Sequence, residues 1–224
     1  MVMVVTSANA AMFERELDEM FKFRHEVAVG EMGWTLPDAR DGYDIDRYDT
    51  KDTIYFLDYG KSGQLIASAR LNPTTQPHLL SDVFPEFCEG DVPRGDEIYE
   101  YSRYLVSKAR TDKIEFVMAR ARILLALNEY ALANGIRMLT LLTYRKHYSL
   151  AAHLFRTRPL GEPIYYESDD AEYMAMTCDV TAEGIERIEE YTRLKSPIAS
   201  MVVPLSLAEA LPRSDWTPRL PEVA

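Results

Sequence analysis

From residue 12 to about residue 29 the apolar side chains Phe13, Leu17, Met20, Phe21 and Val27 recur at helical spacing and predict an amphipathic helix. The preceding "MVMVV" reads as a first strand. "TIYFLDYG" and "GQLIASARLNP" predict two strands joined through "GKSG", a hairpin signal. Residues 79–95 hold a short helical turn and then a Gly/Pro loop. "DEIYEYSRYLVS" predicts another strand. "KIEFVMARARILLALNEYALANG" carries the clearest helical period in the chain, and Gly135 ends it. Beyond it lie the strand "IRMLTLLTY", the short helix "YSLAAHLFR", the strands "PIYYES" and "AEYMAMTCDV", and the polar helix "TAEGIERIEEYTRLK". This order predicts an α/β fold. It is a three-layer α/β/α sandwich with a mixed, mainly antiparallel sheet. Residues 1–195 form a single domain in this reading, and 196–224, with prolines at 197, 204, 212, 218 and 221, an extended tail.

One segment fits no element. "GEMGWTLPDARDGYDIDRYDTKD" is too polar for a core and too long for a plain turn, and loops of this length are usually functional or mobile.

Composition narrows the class. The chain has 224 residues, 47% hydrophobic and 27% charged, ordinary for a soluble globular protein. No apolar run approaches the roughly 18 residues of a membrane span, and no basic region precedes the apolar start, so a cytoplasmic protein without a signal is expected. Cys88 and Cys178 form no motif and are expected as free thiols. The four histidines lack metal-ligand spacing, so no metal site is expected. The net charge of −11 is uneven. Residues 1–100 hold 9 Lys and Arg against 20 Asp and Glu, residues 101–160 hold 11 against 3, and residues 161–224 hold 5 against 13. An acidic chain argues against sequence-independent nucleic-acid binding. Its basic middle suits an anionic partner, unless those arginines pair with the acidic flanks.

Charged residues then stand where apolar ones are expected. Arg24 lies late in the first helix, Arg70 inside "SARLNP", and Glu100 and Arg103 inside "YEYSRYLV". Each has an ordinary reading. A helix arginine is usually a surface residue, and paired loop aspartates such as Asp46 and Asp49 usually cap a turn. "DIDRYD" lacks the glycine and closing Glu of a calcium loop. Glu100 and Arg103, three apart in a strand, should point to opposite faces. Both can work only if the strand is irregular there, and a bulge near Tyr101–Ser102 is predicted.

Arg24, Trp34, "DIDRYD", "SARLNPTTQPHLLSDVF" and "YEYSRYLV" occur in the order and spacing of the N-acyl-homoserine-lactone (autoinducer) synthases. The chain resembles that family from about Phe23 to Ser107. It departs at Ala28, where the family usually has Phe, and at Asp44, where it usually has Glu. The resemblance implies an acyltransferase-like fold with a gap between two splayed strands. It implies a reaction in which the amine of S-adenosylmethionine attacks an acyl thioester and the carboxylate then closes a lactone, releasing methylthioadenosine. Both compounds are substrates, and no cofactor is expected.

On that basis Glu100 is the expected base, acting through water, with Arg103 beside it. Arg24, Trp34, Asp46, Asp49 and Arg70 are the expected S-adenosylmethionine set, Arg70 chiefly by organising the acidic loop. Ala28, Ser102, Leu125, Leu142 and Thr143 are expected around the acyl chain. Lys108, Arg110, Lys113, Arg120, Arg145 and Lys146 are expected to dock the donor, an acyl carrier protein or acyl-coenzyme A. "SKARTDKIEF" lacks the Gly-rich pyrophosphate turn of acetyltransferases, which mildly favours the carrier. The competing readings are an N-acyltransferase with another amine acceptor and an acyl-binding relative without activity.

Overall fold

The computed structural model describes residues 1–167 and 170–201; the prolines at 204, 212, 218 and 221 lie outside the described residues. The chain forms two compact units. Among the described residues, the first comprises 1–70, 103–126 and 197–201, and the second comprises 71–102 and 127–196.

In the first unit, β1 (Val2–Val5) leads to α1 (Glu14–His25), which continues as a π-helical turn over Glu26–Glu31. β2 (Ile54–Tyr59) pairs antiparallel with β1, Val2 opposite Asp58 and Val5 opposite Tyr55. β3 (Leu65–Pro73) follows the predicted hairpin turn, where Gly63 adopts φ +79°, a conformation open to glycine. The unit's core joins Leu17, Met20, Phe21 and Phe23 of α1 to Val5, Tyr55, Leu57 and Leu65 of these strands. The apolar stripe read from the sequence is therefore the face that α1 buries.

The second unit is built from α2 (Leu79–Asp82), β4 (Ile98–Val106) up to Ser102, and α3 (Lys113–Ala133) from Leu127 onward. Then come β5 (Met138–Tyr144), α4 (Tyr148–Leu154), β6 (Thr157–Pro159), β7 (Ile164–Tyr166), β8 (Ala171–Asp179) and α5 (Ala182–Thr192). β8 pairs antiparallel with β5 along its length. Its other edge takes β7 at Ala171–Tyr173 and β6 at Met176–Cys178. β4 and β5 pair in parallel over Ile98–Glu100 and Met138–Thr140. Gly135, at φ +74°, closes α3 as the sequence predicts. α5 is capped by Thr181, whose hydroxyl accepts from the Gly184 N–H at 3.0 Å.

Each unit thus carries a mixed, open sheet flanked by helices, which is the fold class the pattern predicts. β6 is absent from the sequence reading because "TRP" has no strand period; Pro159 is tolerated there on an edge strand. The tail begins as β9 (Ala199–Ser200), which pairs in parallel with β1, Val2 opposite Ala199. Among the described residues no helix is long and apolar enough to cross a membrane.

Candidate active site

The polar segment after α1 is held by charge. In the first unit Arg24 reaches from the last turn of α1 and donates from Nε to Asp44 at 3.0 Å. Its two terminal nitrogens donate to Asp49 at 2.7 and 3.0 Å. Arg70 of β3 donates to both oxygens of Asp46 at 2.7 and 2.9 Å and lies 2.8 Å from Asp49. Arg103 of β4 donates to Asp44 at 2.7 and 3.2 Å and to Asp46 at 3.0 Å. The Tyr55 hydroxyl donates to Asp49 at 3.2 Å. Three guanidinium groups therefore face three carboxylates, and the formal charge within the set cancels.

Burial opposes the charges of Asp44 and Asp46, but the facing guanidinium groups outweigh it. Arg24 and Arg103 hold Asp44 well below the usual carboxylate range, and Arg70 and Arg103 do the same for Asp46. Burial likewise works against Arg24, and Asp49 and Asp44 more than compensate, pushing its pKa further up.

Exposure divides the set. The side chains of Arg24, Asp49 and Arg70 are at most 1% exposed, while Arg103 and Asp46 are 9% and 5% exposed. Arg24 and Arg70 spend their donors on the loop aspartates, so the observed work of both is to fold residues 44–49. Asp44 belongs to this set although the sequence reading left it out of the binding residues. Its place in "DIDRYD", two before Asp46, was the available signal. Tyr55 had none beyond its strand period.

The predicted irregularity in β4 is found one residue on. Arg103 adopts φ +51°, a left-handed conformation that side chains rarely take. Thr74 N–H donates to Ile98 C=O, and Ser107 N–H donates to Ile66 C=O. That is nine steps along β4 against eight along β3, so β4 carries one extra residue, the signature of a bulge. The side-chain alternation along β4 therefore breaks at Arg103.

In the second unit Glu100 is buried, and its carboxylate accepts the N–H of Leu79 at 3.2 Å and of Leu80 at 2.7 Å. Leu142 packs against the apolar cluster of Leu80, Phe87 and Ala175. The Thr143 hydroxyl and His147 Nδ1 are 3.1 Å apart. Ser102 is half-buried. Of the remaining residues expected around the acyl chain, Ala28 lies fully buried in the first unit's core and Leu125 is fully buried. Trp34 is half-buried against that core, and its backbone N–H donates to Ala28 C=O at 2.8 Å.

The basic residues are partly spent at home. Arg110 pairs with Glu26, and Arg145 lies 3.2 Å from Glu172. Arg120 stacks 5.7 Å from the Tyr104 ring centroid, and Lys146 lies 4.6 Å from that of Tyr144. Lys108 and Lys113 are exposed, and only the backbone N–H of Lys108 donates to Glu31, at 2.7 Å. Arg145 and Lys146 line a cavity of about 640 Å³ with Tyr144, Tyr148 and Glu162, inside the second unit. No group of three or more metal-ligating side chains occurs among the described residues.

Mixed, open sheets flanked by helices are the acyltransferase-like α/β architecture. The sequence model of the family described as Autoinducer synthase matches residues 9–182, and the chain belongs to that family. It is 28% identical over 194 residues to an isovaleryl-homoserine lactone synthase of Bradyrhizobium diazoefficiens, covering 85% of this chain and 84% of that protein. An acyl-homoserine-lactone synthase of Ralstonia solanacearum is 40% identical over a shorter stretch, 37% of this chain and 41% of that one. Among solved structures, the CoA-dependent acyl-homoserine lactone synthase BjaI with SAM and isopentyl-CoA matches with a TM-score of 0.81 and 28% identity. The match covers 91% of this chain and 94% of that one. The CoA-dependent synthase MesI matches at 0.78 and 26%, covering 89% and 99%.

Proposed function

We propose that the protein makes an N-acyl-homoserine lactone, a quorum-sensing signal, from S-adenosylmethionine and an acyl thioester. The observation that carries this reading is the closed cluster of Arg24, Asp44, Asp46, Asp49, Arg70 and Arg103. It fixes the polar loop so that only Asp46 and Arg103 keep some exposure. In this reading Asp46 complements the cationic end of S-adenosylmethionine and Arg103 its carboxylate. Arg24, Asp49 and Arg70 hold those two in place, and Trp34 covers the bound substrate.

Glu100 takes a proton from the substrate ammonium through a water molecule, and the free amine attacks the thioester carbonyl. The C–S bond breaks, the thiol leaves, and the amide forms. The substrate carboxylate then displaces methylthioadenosine from the carbon next to the sulfonium, closing the lactone. Both compounds act as substrates, and the reaction uses no resident cofactor.

The donor we favour is acyl-coenzyme A, on the similarity to two CoA-dependent synthases along nearly the whole chain. Lys108 and Lys113 supply positive charge for its phosphates, and Ser102, Leu142 and Thr143 lie along the acyl chain. The reaction takes place in the cytoplasm, without nucleic acid or membrane. The test is mass spectrometry of the purified protein with S-adenosylmethionine and a panel of acyl-coenzyme A and acyl-carrier thioesters. Methylthioadenosine together with an acylated homoserine lactone is the expected result. Thioester consumption without methylthioadenosine would identify an acyltransferase with another acceptor, and a preference for carrier thioesters would replace the proposed donor.

A further inference from the structure

The acylation step releases a proton that has to leave a buried base. An ammonium R–NH3+ and a thioester R′CO–S–donor give R′CO–NH–R, the donor thiol and H+. Of the three ammonium protons one stays on the amide nitrogen, one goes to the departing sulfur and one goes to water. Lactone closure by a carboxylate on a sulfonium carbon takes up and releases none. Glu100 is only 3% exposed, so the proton it accepts in each turnover needs a way out.

Strand register in the second unit supplies a row of polar side chains beginning at that residue. Glu100 of β4 lies opposite Thr140 of β5, Thr140 opposite Thr177 of β8, and Thr177 opposite Arg158 of β6. Directly opposed residues share one face of a sheet, with Cβ atoms about 4.5–5.5 Å apart. Thr140 and Thr177 are 0% and 3% exposed, and neither hydroxyl has a hydrogen-bond partner among the described residues. A buried hydroxyl left unpaired is destabilising, and Val would fill the same space without that cost. Two such hydroxyls side by side, next to a buried carboxylate, are the setting in which ordered water is held. Arg158, at the far end on the edge strand, has a side chain 56% exposed.

We infer that Thr140 and Thr177 are positioning residues for proton transfer. With ordered water they connect Glu100 to solvent at the β6 edge. A threonine hydroxyl both accepts and donates, so each can take a proton from one water and give its own to the next. The inference rests on Glu100 being the base.

The test uses the full chain and four variants: Thr140→Val, Thr177→Val, Thr140→Ser and Glu100→Gln. Methylthioadenosine release is followed in H2O and in D2O, and thermal unfolding is recorded for each. Thr140→Val is expected to lower kcat about tenfold, a part of the 10²–10⁴ that general-base catalysis provides. KM for S-adenosylmethionine should stay unchanged, and the solvent isotope effect on kcat should grow. Tm should hold or rise, because an unpaired buried hydroxyl has gone. Thr177→Val should act in the same direction, and Thr140→Ser should recover most of the rate. Wild-type kcat and isotope effect in both valine variants, with Glu100→Gln inactive, would overturn the relay while leaving the base in place. An equally slow Thr140→Ser would make Thr140 a packing residue and overturn the relay as well. An active Glu100→Gln would overturn the assignment of the base itself.

Discussion

Replacing Arg70 with Met removes one of three buried guanidinium groups and leaves three buried carboxylates facing two. Arg70 is fully buried and bonded to both oxygens of Asp46, with Asp49 at 2.8 Å, so water cannot take its place without opening the core. Removing one partner of a buried ion pair costs about 3–5 kcal/mol, most of it the uncompensated charge left behind. That is a large share of the roughly 5–15 kcal/mol of a typical domain. Asp49→Asn alone should cost a similar amount, since Asp49 serves Arg24 as well. The double variant restores two charges of each sign. Its cost should therefore fall short of the sum of the singles by at least about 1 kcal/mol. Urea unfolding of the four proteins, followed by circular dichroism, measures the cycle. Additive losses, or an Arg70→Met cost below about 1 kcal/mol, would mean that the cluster is solvated and does not hold the loop. A normal Arg70→Met stability with a raised KM for S-adenosylmethionine would move Arg70 from the scaffold to the ligand.

The carboxylates of the cluster set an acid limit. Asp44 and Asp46 titrate lower when folded than unfolded, so their contribution is complete above about pH 4 and is lost as pH falls further. Tm should therefore be level near neutrality and fall steeply below that point, and a Tm that rises on acidification contradicts this. Asp46→Asn should raise KM for S-adenosylmethionine in steady-state kinetics more than it lowers kcat, because Asp46 has the least buried side chain of the three carboxylates. A Cβ added at Gly161 would stand 2.7 Å from Phe87 C=O and 3.2 Å from Glu89 N. Gly161→Ala should thus cost roughly 1–3 kcal/mol, and an unchanged Tm would show that this backbone contact yields freely. Burial pushes the Cys178 thiol up to about 12, so iodoacetamide should leave Cys178 unmodified in the folded protein and modify it after unfolding, as read by peptide mass spectrometry.

The elements with a strong period were legible in the sequence: α1 from its apolar stripe, α3 from its length and closing glycine, and the β2–β3 hairpin from its turn. The π-helical turn at Glu26–Glu31 was not, because the residues there keep helical spacing and only the hydrogen-bond pattern changes. β6 was hidden by its brevity and its proline. At the site, the charged residues could be picked out because each violates the pattern around it. What the sequence could not show was their order of burial. Arg24 and Arg103 look equivalent on paper, yet Arg24 is closed off while Arg103 keeps an edge toward solvent. Thr140 was legible only as an alternative to Thr143 near the acyl chain, and Thr177 was invisible for a different reason. A threonine in a strand is what β-propensity favours, and only the register sets the two beside Glu100.

The bulge at Arg103 ties these observations together. In a regular β4, Arg103 would point to the face away from Asp44 and Asp46, and a guanidinium there would have no reason to be held. The extra residue reverses the alternation at that point, and the left-handed backbone is the cost, on the order of 1–3 kcal/mol. That cost is offset by three hydrogen bonds from Arg103 to Asp44 and Asp46, each stronger than a neutral one because both partners are charged. The strain and the ion cluster therefore need each other. Neutralising Asp44 should release Arg103 from its left-handed conformation as well as weaken the loop. A crystal structure of Asp44→Asn that still held Arg103 at positive φ would show that the bulge is fixed by strand pairing alone.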